Sequence, residues 1–404
     1  VRKKQYPRVL VLSHYFESHR SGIEIIAGRL GRELTRLGVN VTWAAADCSA
    51  LPPKIAAART VPLRCANFVE EYTGIPVPIP GPGALARIFS EIRRTDVVHL
   101  HDGLYLANIG GYVMARMMRK PVVITQHIGT VPYRNIVARW LMLAANRLFV
   151  RPMLARANQV VYYSETTAAY FRSIAHKTPP IFIANGVDIE IFTPAAAKDR
   201  PALRERFGLP ARGPIILFVG RFVEKKGMDV MECLARQRPD LTIAMAGWGP
   251  IDPARWDAPN VHIMPGLHGT ALADLYRASN VFVLPSVGEG FPLVLQEALA
   301  CGLPVVCGEE SAKADSKAQP ILRPVSIRLG QPGATARAVS AEIDSALAET
   351  HTAARARAKF AATHYNWATA GTAYAQLFTD LSAAALKRTA GRAKRSASIA
   401  KNLT

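Results

Sequence analysis

Two carboxylates stand eight residues apart in VGEGFPLVLQEALACGLPVV, residues 287–306. Glu289 lies between Gly288 and Gly290, which let the backbone turn tightly beside a ligand. Glu297 lies in an apolar run of helical period, with Pro292 suited to the first turn and Gly302 to the end. The amides of Phe291, Leu293 and Val294 then face the ligand space and favour an anion. One carboxylate can accept two ribose hydroxyls and the other a sugar hydroxyl. The rival is an acid–base pair of the glycosidase kind. Arg221 directly follows the run ILFVG, and Lys226 stands five residues on, where a helical pattern starts. Such a pair suits a diphosphate, with Arg as a fork and Lys as a point charge. A solvated basic turn would look the same in isolation. Beside these cations, the carboxylates read as holding a nucleotide.

Three further candidates end buried runs. His127 closes VVITQHIG, where an imidazole can meet a sugar oxygen or a leaving phosphate; a structural histidine is the alternative. His101 and Asp102 close VVHLHDG and are candidates to line an acceptor pocket, with strand-end packing as the alternative. The sequence contains no metal-ligand cluster, so neither metal nor resident cofactor is expected.

The elements that must carry these residues are legible as alternation. Strand-length apolar runs at residues 9–12, 39–43, 97–100, 122–125 and 159–163 are separated by helical patterns such as 23–37 and 108–118. The pattern restarts at 214–220, 241–247, 261–266, 281–286 and 303–308. This predicts two doubly wound α/β domains, with ligands at the carboxyl ends of the strands. The Pro-, Ala- and charge-rich stretch TPAAAKDRPALRERFGLPARG carries no strand and marks the boundary. The expected division is 1–193, 194–365, a helix at 366–386, and a basic, disordered tail at 387–404.

The 404 residues carry a net charge of +20. Residues 103–164 contain eight basic residues and no acid, and the tail adds six more. A block of one sign points to an anionic partner, here a membrane surface. Nucleic acid is disfavoured because the block carries no recognised module. The run at 9–12 is too short for a signal peptide, and no segment suffices to span a bilayer. Five cysteines without a Cys-x-x-Cys pair suit a reducing cytosol.

VGRFVEKKG, AGWGP, LYRASNVFVLPS and GEGFPLVLQEALACGLPVV resemble the C-terminal half of the family 4 retaining glycosyltransferases of GT-B fold. SGIEIIAGRLGRELTRLGVNVTW, DVVHLHDG, VVITQHIG and ANGVD resemble the N-terminal half, in the same order. The resemblance spans roughly residues 8–380. It implies two Rossmann-like domains, with the last helix crossing back to the first. It also implies metal-independent sugar transfer from a nucleotide diphosphate sugar, with retention of anomeric configuration. Arg221 and Lys226 would bind the diphosphate, Glu297 the ribose, and Glu289 the donor sugar. The amides from Phe291 to Val294 and the backbone at Gly22 would approach phosphate, with Ser21 replacing a glycine common in the family. Gly247, His268 and Gly290 fall in the donor-binding segments, and His127 would reach the donor sugar. Trp248, in AGWGP, takes a place usually acidic or polar, to flank the base or to pack. The acceptor hydroxyl would attack from the face the phosphate leaves, and that phosphate would take its proton. The acceptor is expected to be a glycan or lipid-linked, in envelope polysaccharide or glycolipid synthesis. The protein would then act in the cytoplasm, peripherally on the inner face of the plasma membrane. Nucleotide-sugar epimerases share the architecture and remain an alternative, as does a non-enzymatic lipid- or nucleic-acid-binding protein.

Overall fold

A computed structural model describes residues 6–19, 22–48, 58–73, 75–129, 136–349 and 351–401. The first domain carries β1 (Arg8–Tyr15), β2 (Asn40–Ala46), β3 (Arg59–Leu63), β4 (Cys65–Ala66), β5 (Ile79–Pro80), β6 (Val97–His101), β7 (Val122–Gln126), β8 (Gln159–Tyr162) and β9 (Ile181–Phe182). Seven of these form one sheet in the order β3-β2-β1-β6-β7-β8-β9, all parallel. β4 and β5 make a small antiparallel pair.

Side chains alternate across a strand, so the sheet builds a separate core on each face. Leu10, Leu12, Val98, Leu100 and Ile124 pack against the helices Pro82–Arg94, Leu106–Met117 and Arg151–Arg156. Val9, Val11, Val97 and Val123 pack against the helix Gly22–Arg36 through Ala27, Leu30 and Leu34. Each fully buried aliphatic side chain contributes roughly 1.5–3 kcal/mol. Continuously buried β6 and β7 are therefore firm posts for the residues at their ends.

The second domain carries β10 (Ile215–Arg221), β11 (Thr242–Trp248), β12 (Val261–Met264), β13 (Val281–Leu284), β14 (Val305–Gly308) and β15 (Arg323–Val325). Their order is β12-β11-β10-β13-β14-β15, again all parallel. Strand order reverses between β1 and β6 in one domain and between β10 and β13 in the other. A ligand crevice opens at such a reversal.

The chain leaves the first domain at residues 186–188 and returns beside that crossing. Val187 donates its amide to the Tyr365 carbonyl at 2.9 Å and forms a bridge with Asn366. A Cβ on Gly186 would stand 2.4 Å from Trp367 Cγ. The last helix, Trp367–Lys401, then covers the first sheet with Ala370, Tyr374, Ala375 and Phe378. It touches the helix Gly22–Arg36 closely, since a Cβ on Gly371 would meet Glu33 Cγ at 2.4 Å.

The boundary stretch carries no strand, as its composition indicates, and holds a helix, Arg200–Arg206, anchored by Arg204 Nε donating to the Ala278 carbonyl at 3.0 Å. One expectation needs correction. The basic stretch after residue 386 continues the last helix to Lys401 and is not a coil. Its Ala, Lys and Arg residues are good helix formers, and no proline interrupts them.

Candidate functional site

The carboxyl ends of the two sheets meet across a cleft of about 2410 Å3. The second domain builds one wall. Arg221 is the last residue of β10, and the turn Glu224–Lys226 leads through Gly227 into the helix Met228–Gln237. Gly227 has φ +74°, and a Cβ there would lie 2.2 Å from the Pro285 carbonyl. Only glycine fits both constraints. The turn delivers Lys226 Nζ to Glu289 Oε2 at 2.6 Å, with Lys225 Nζ 3.6 Å from Oε1. The Val287 amide donates to the Lys225 carbonyl at 2.9 Å and ties the two loops together. Burial pushes the Glu289 carboxyl up, but Lys226 and Lys225 outweigh it and hold the group below its ordinary range. It therefore stays ionised, as an acceptor of hydroxyls.

Arg221 stacks over Trp248 at 4.8 Å, and its buried Nε has no hydrogen-bond partner among the described residues. Trp248 thus braces the guanidinium, a role the sequence left open. Gly247 is needed for close approach of β10, because a Cβ would stand 1.9 Å from the Gly220 carbonyl. The helix Leu293–Ala300 follows Pro292, and Leu293 and Val294 line the cleft at its first turn. Their amides belong to the set left unpaired at any helix start. Phe291 contributes backbone here, since its side chain is buried against Tyr365. Glu297 lies one turn in, accepting from the Tyr276 hydroxyl at 3.1 Å. Burial lifts its carboxyl to about 7, against the lowering effects of Tyr276 and Arg29. His268 lines the cleft at the start of the helix Gly269–Ala278, its Nδ1 donating to the Gly266 carbonyl at 2.9 Å.

The first domain builds the other wall, where Gly22 opens the helix Gly22–Arg36 on the cleft, and a Cβ there would meet nothing within 4 Å among the described residues. Ser21 lies outside the described residues. His127 lines the cleft just past β7, and its Nε2 is 3.1 Å from His101 Nδ1. Burial, then His101 and His14, keep it far below the usual histidine range and hence neutral.

His101 and Asp102 do not line the cleft, contrary to expectation. Both are fully buried. Burial, with His14 next, lowers His101 to about 3. Asp102 takes φ +72° and turns its carboxylate under the loop that carries His127. Oδ2 accepts from Gln126 Nε2 at 3.0 Å and from the amides of His127 at 3.2 Å and Ile128 at 2.9 Å. Oδ1 accepts from the Leu104 amide at 2.9 Å. These two residues shape the His127 loop from beneath.

Two features escaped the sequence. His14, stacked flat on Tyr105 at 3.8 Å, lines the cleft and pairs with buried Glu24 at 2.9 Å. His19 lies between Glu24 and Glu70, and Glu70 also accepts from Tyr15 at 2.7 Å. Tyr163, just past β8, lines the cleft between His127 and Gly290. No local pattern announces either; the strand-end rule alone could have drawn attention to His14 and Tyr163.

Two parallel sheets facing each other across such a cleft define the GT-B architecture. Residues 213–340 match the glycosyl transferases group 1, and residues 20–191 match glycosyltransferase family 4. The chain belongs to the family 4 glycosyltransferases of GT-B fold. A D-inositol 3-phosphate glycosyltransferase of Xylanimonas cellulosilytica is 29% identical over 357 residues, covering 74% of this chain and 80% of that one. A GDP-mannose-dependent alpha-mannosyltransferase of Mycolicibacterium smegmatis is 28% identical over 319 residues, covering 76% and 81%. Sucrose-phosphate synthase of Thermosynechococcus elongatus shares the fold with a TM-score of 0.72 at 21% identity, covering 93% and 99%.

Proposed function

We propose that this glycosyltransferase moves a sugar from a nucleoside diphosphate sugar to an acceptor hydroxyl, with retention of configuration and without a metal ion. The observation that carries this is the Lys226–Glu289 pair beside Arg221 at the reversal between β10 and β13. When the sugar–phosphate bond breaks, negative charge grows on the departing diphosphate. Arg221, Lys226 and the first amides of the helix Leu293–Ala300 are fixed donors for that charge, usually the largest catalytic contribution. Glu297 holds the ribose and Glu289 a sugar hydroxyl, while neutral His127 meets the sugar from the opposite wall. One relative's name gives inositol 3-phosphate, which supports a phosphate-bearing acceptor, and the other's gives GDP-mannose, which supports a nucleotide-sugar donor. A lipid-linked acceptor in envelope glycan synthesis is part of the proposal.

The acceptor-side domain, on this proposal, rests on the inner face of the plasma membrane. Trp140, Leu141, Leu148 and Phe149 are 67%, 66%, 65% and 45% exposed, with Arg139, Arg147 and Arg156 exposed among them. These lie on the helical stretch Ile136–Ala145, Asn146–Val150 and Arg151–Arg156. Apolar tips at the headgroup boundary and arginines on lipid phosphate are its chemistry. Arg151 leaves this set, because it donates to Ser173 at 2.9 Å and lies over Phe171. Arg134 lies outside the described residues. Among the described residues, no helix is long and apolar enough to cross a membrane.

The test is turnover of a panel of nucleotide sugars with and without inositol phosphate and lipid-linked acceptors, in buffer containing chelator. Acceptor-dependent release of nucleoside diphosphate is expected. Donor consumption without acceptor would favour an epimerase, and loss restored by magnesium or manganese would overturn metal independence.

A further inference from the structure

Gly288 and Gly290 flank the same carboxylate, yet they are glycines for different reasons. Gly288 has φ +66°, a conformation that other residues adopt at a cost. Gly290 carries no such φ. A Cβ on it would instead stand 2.7 Å from the Tyr163 hydroxyl and 3.1 Å from Ser164 Cβ. Position 290 is small because the first domain occupies the space. Tyr163 comes from the end of β8, and Gly290 from the loop that carries Glu289. The Tyr163 hydroxyl donates to the His127 carbonyl at 3.1 Å, and the two rings lie 5.2 Å apart. Burial first, then the nearby charges of Glu289 and Asp102, keep the phenol protonated and so a donor. One half-buried side chain therefore touches the carrier of His127 on its own domain and the carrier of Glu289 on the other.

We propose that Tyr163 is a positioning residue for sugar transfer, seating the Gly288–Phe291 loop against the His127 loop when the domains close. This rests on the transfer reaction proposed above. Closing two loops to within a few tenths of an ångström is what catalysis by positioning requires. The phenol does so without adding charge beside the departing diphosphate.

The test is a double-mutant cycle, Y163F, G290A and Y163F/G290A. Turnover is measured with GDP-mannose and UDP-glucose, affinity with GDP and UDP by calorimetry, and closure by small-angle scattering with each diphosphate bound. Y163F should lower kcat about tenfold, with diphosphate affinity within about twofold and Tm unchanged. G290A should lower kcat about a hundredfold and leave the diphosphate-bound form more expanded than wild type. Y163F/G290A should recover most of the way to the level of Y163F alone and regain the compact form, because the 2.7 Å clash is gone and the contacts at 3.1 Å with Ser164 need only a small shift. Independent, multiplying losses would overturn the proposal, as would wild-type turnover in Y163F. If G290A does not fold, recovery of fold and turnover in the double variant supports the proposal, and continued loss overturns it. If wild type turns over neither donor, the scattering cycle still decides for or against Tyr163, while the transfer proposal falls separately.

Discussion

The two walls of the cleft stand on the same parallel scaffold and follow opposite electrostatic rules. On the second domain, the strand-reversal end gathers Arg221, Lys225 and Lys226 on the cleft, with both lysines against the ionised Glu289. On the first, His101 and His127 are held neutral, in both cases chiefly by burial, and His127 faces the cleft. A diphosphate needs fixed positive charge where it departs. The wall across from it presents neutral imidazoles at its strand ends, and its cleft-lining Arg29 and Arg32 are each paired, with Asp188 and Glu17. A scaffold shared by two domains therefore sets where a ligand lies, and the residues at the strand ends set which end of it each wall holds.

The sharpest way to break this contrast is to discharge the cationic wall. Lys226→Ala leaves Glu289 with Lys225 alone, so kcat/KM should fall about 10²–10³-fold in steady-state assays. Because burial then has less opposition, the residual activity should rise with pH over a range where wild type is flat. A fall of less than about threefold would remove Lys226 from the diphosphate grip.

The outer surface of the neutral wall is the next test. Arg139, Arg147 and Arg156 changed together to Gln should cost about 3 kcal/mol of affinity for vesicles containing anionic lipid. Co-sedimentation of wild type should fall at high salt, and the triple variant should stay in the supernatant at low salt.

Glu297 sharpens the picture through pH. Its carboxyl is raised to about 7 in the folded protein. The folded state thus keeps its proton longer than the unfolded chain does. The stability this confers is present below the unfolded carboxylate value and is lost as pH rises through about 7. Ribose hydroxyls require the ionised form, so GDP or UDP affinity by calorimetry should rise from about pH 6 to about pH 8. Glu297→Gln should abolish that slope, weaken binding at least several-fold at the upper pH, and flatten the corresponding decline in Tm.

Trp248→Ala should have the smallest effect. It removes the ring under Arg221, a contact worth about 0.5–1 kcal/mol at an exposed site. Diphosphate affinity should drop about two- to fivefold with Tm unchanged.

Much of this was legible in residue order because it is local. Apolar runs place β6, β7, β10 and β13 within a residue or two, and turn chemistry places Pro292 and Gly302 at the ends of one helix. Arg221, Lys226, Glu289 and Glu297 were singled out because each follows a strand in a segment that resembles the family, and all four line the cleft. What was missed depends on approach in space between segments far apart in the chain. Tyr163 against Gly290 and Glu24 beneath His14 have no periodic trace. Asp102 was misjudged for a related reason. Its left-handed backbone, which turns the carboxylate inward, is not dictated by residue type.

The paired crossings at Val187 and Asn366 bear on how the walls can move. Two bodies joined by one flexible tether can tilt, twist and slide. Here two chain segments run side by side, joined by the bond from Val187 to Tyr365 and stiffened where Trp367 fills the space over Gly186. On the closure proposed above, a two-segment joint of this kind would favour bending about the line of the pair over twisting, and Tyr163 and Gly290 would meet along one arc.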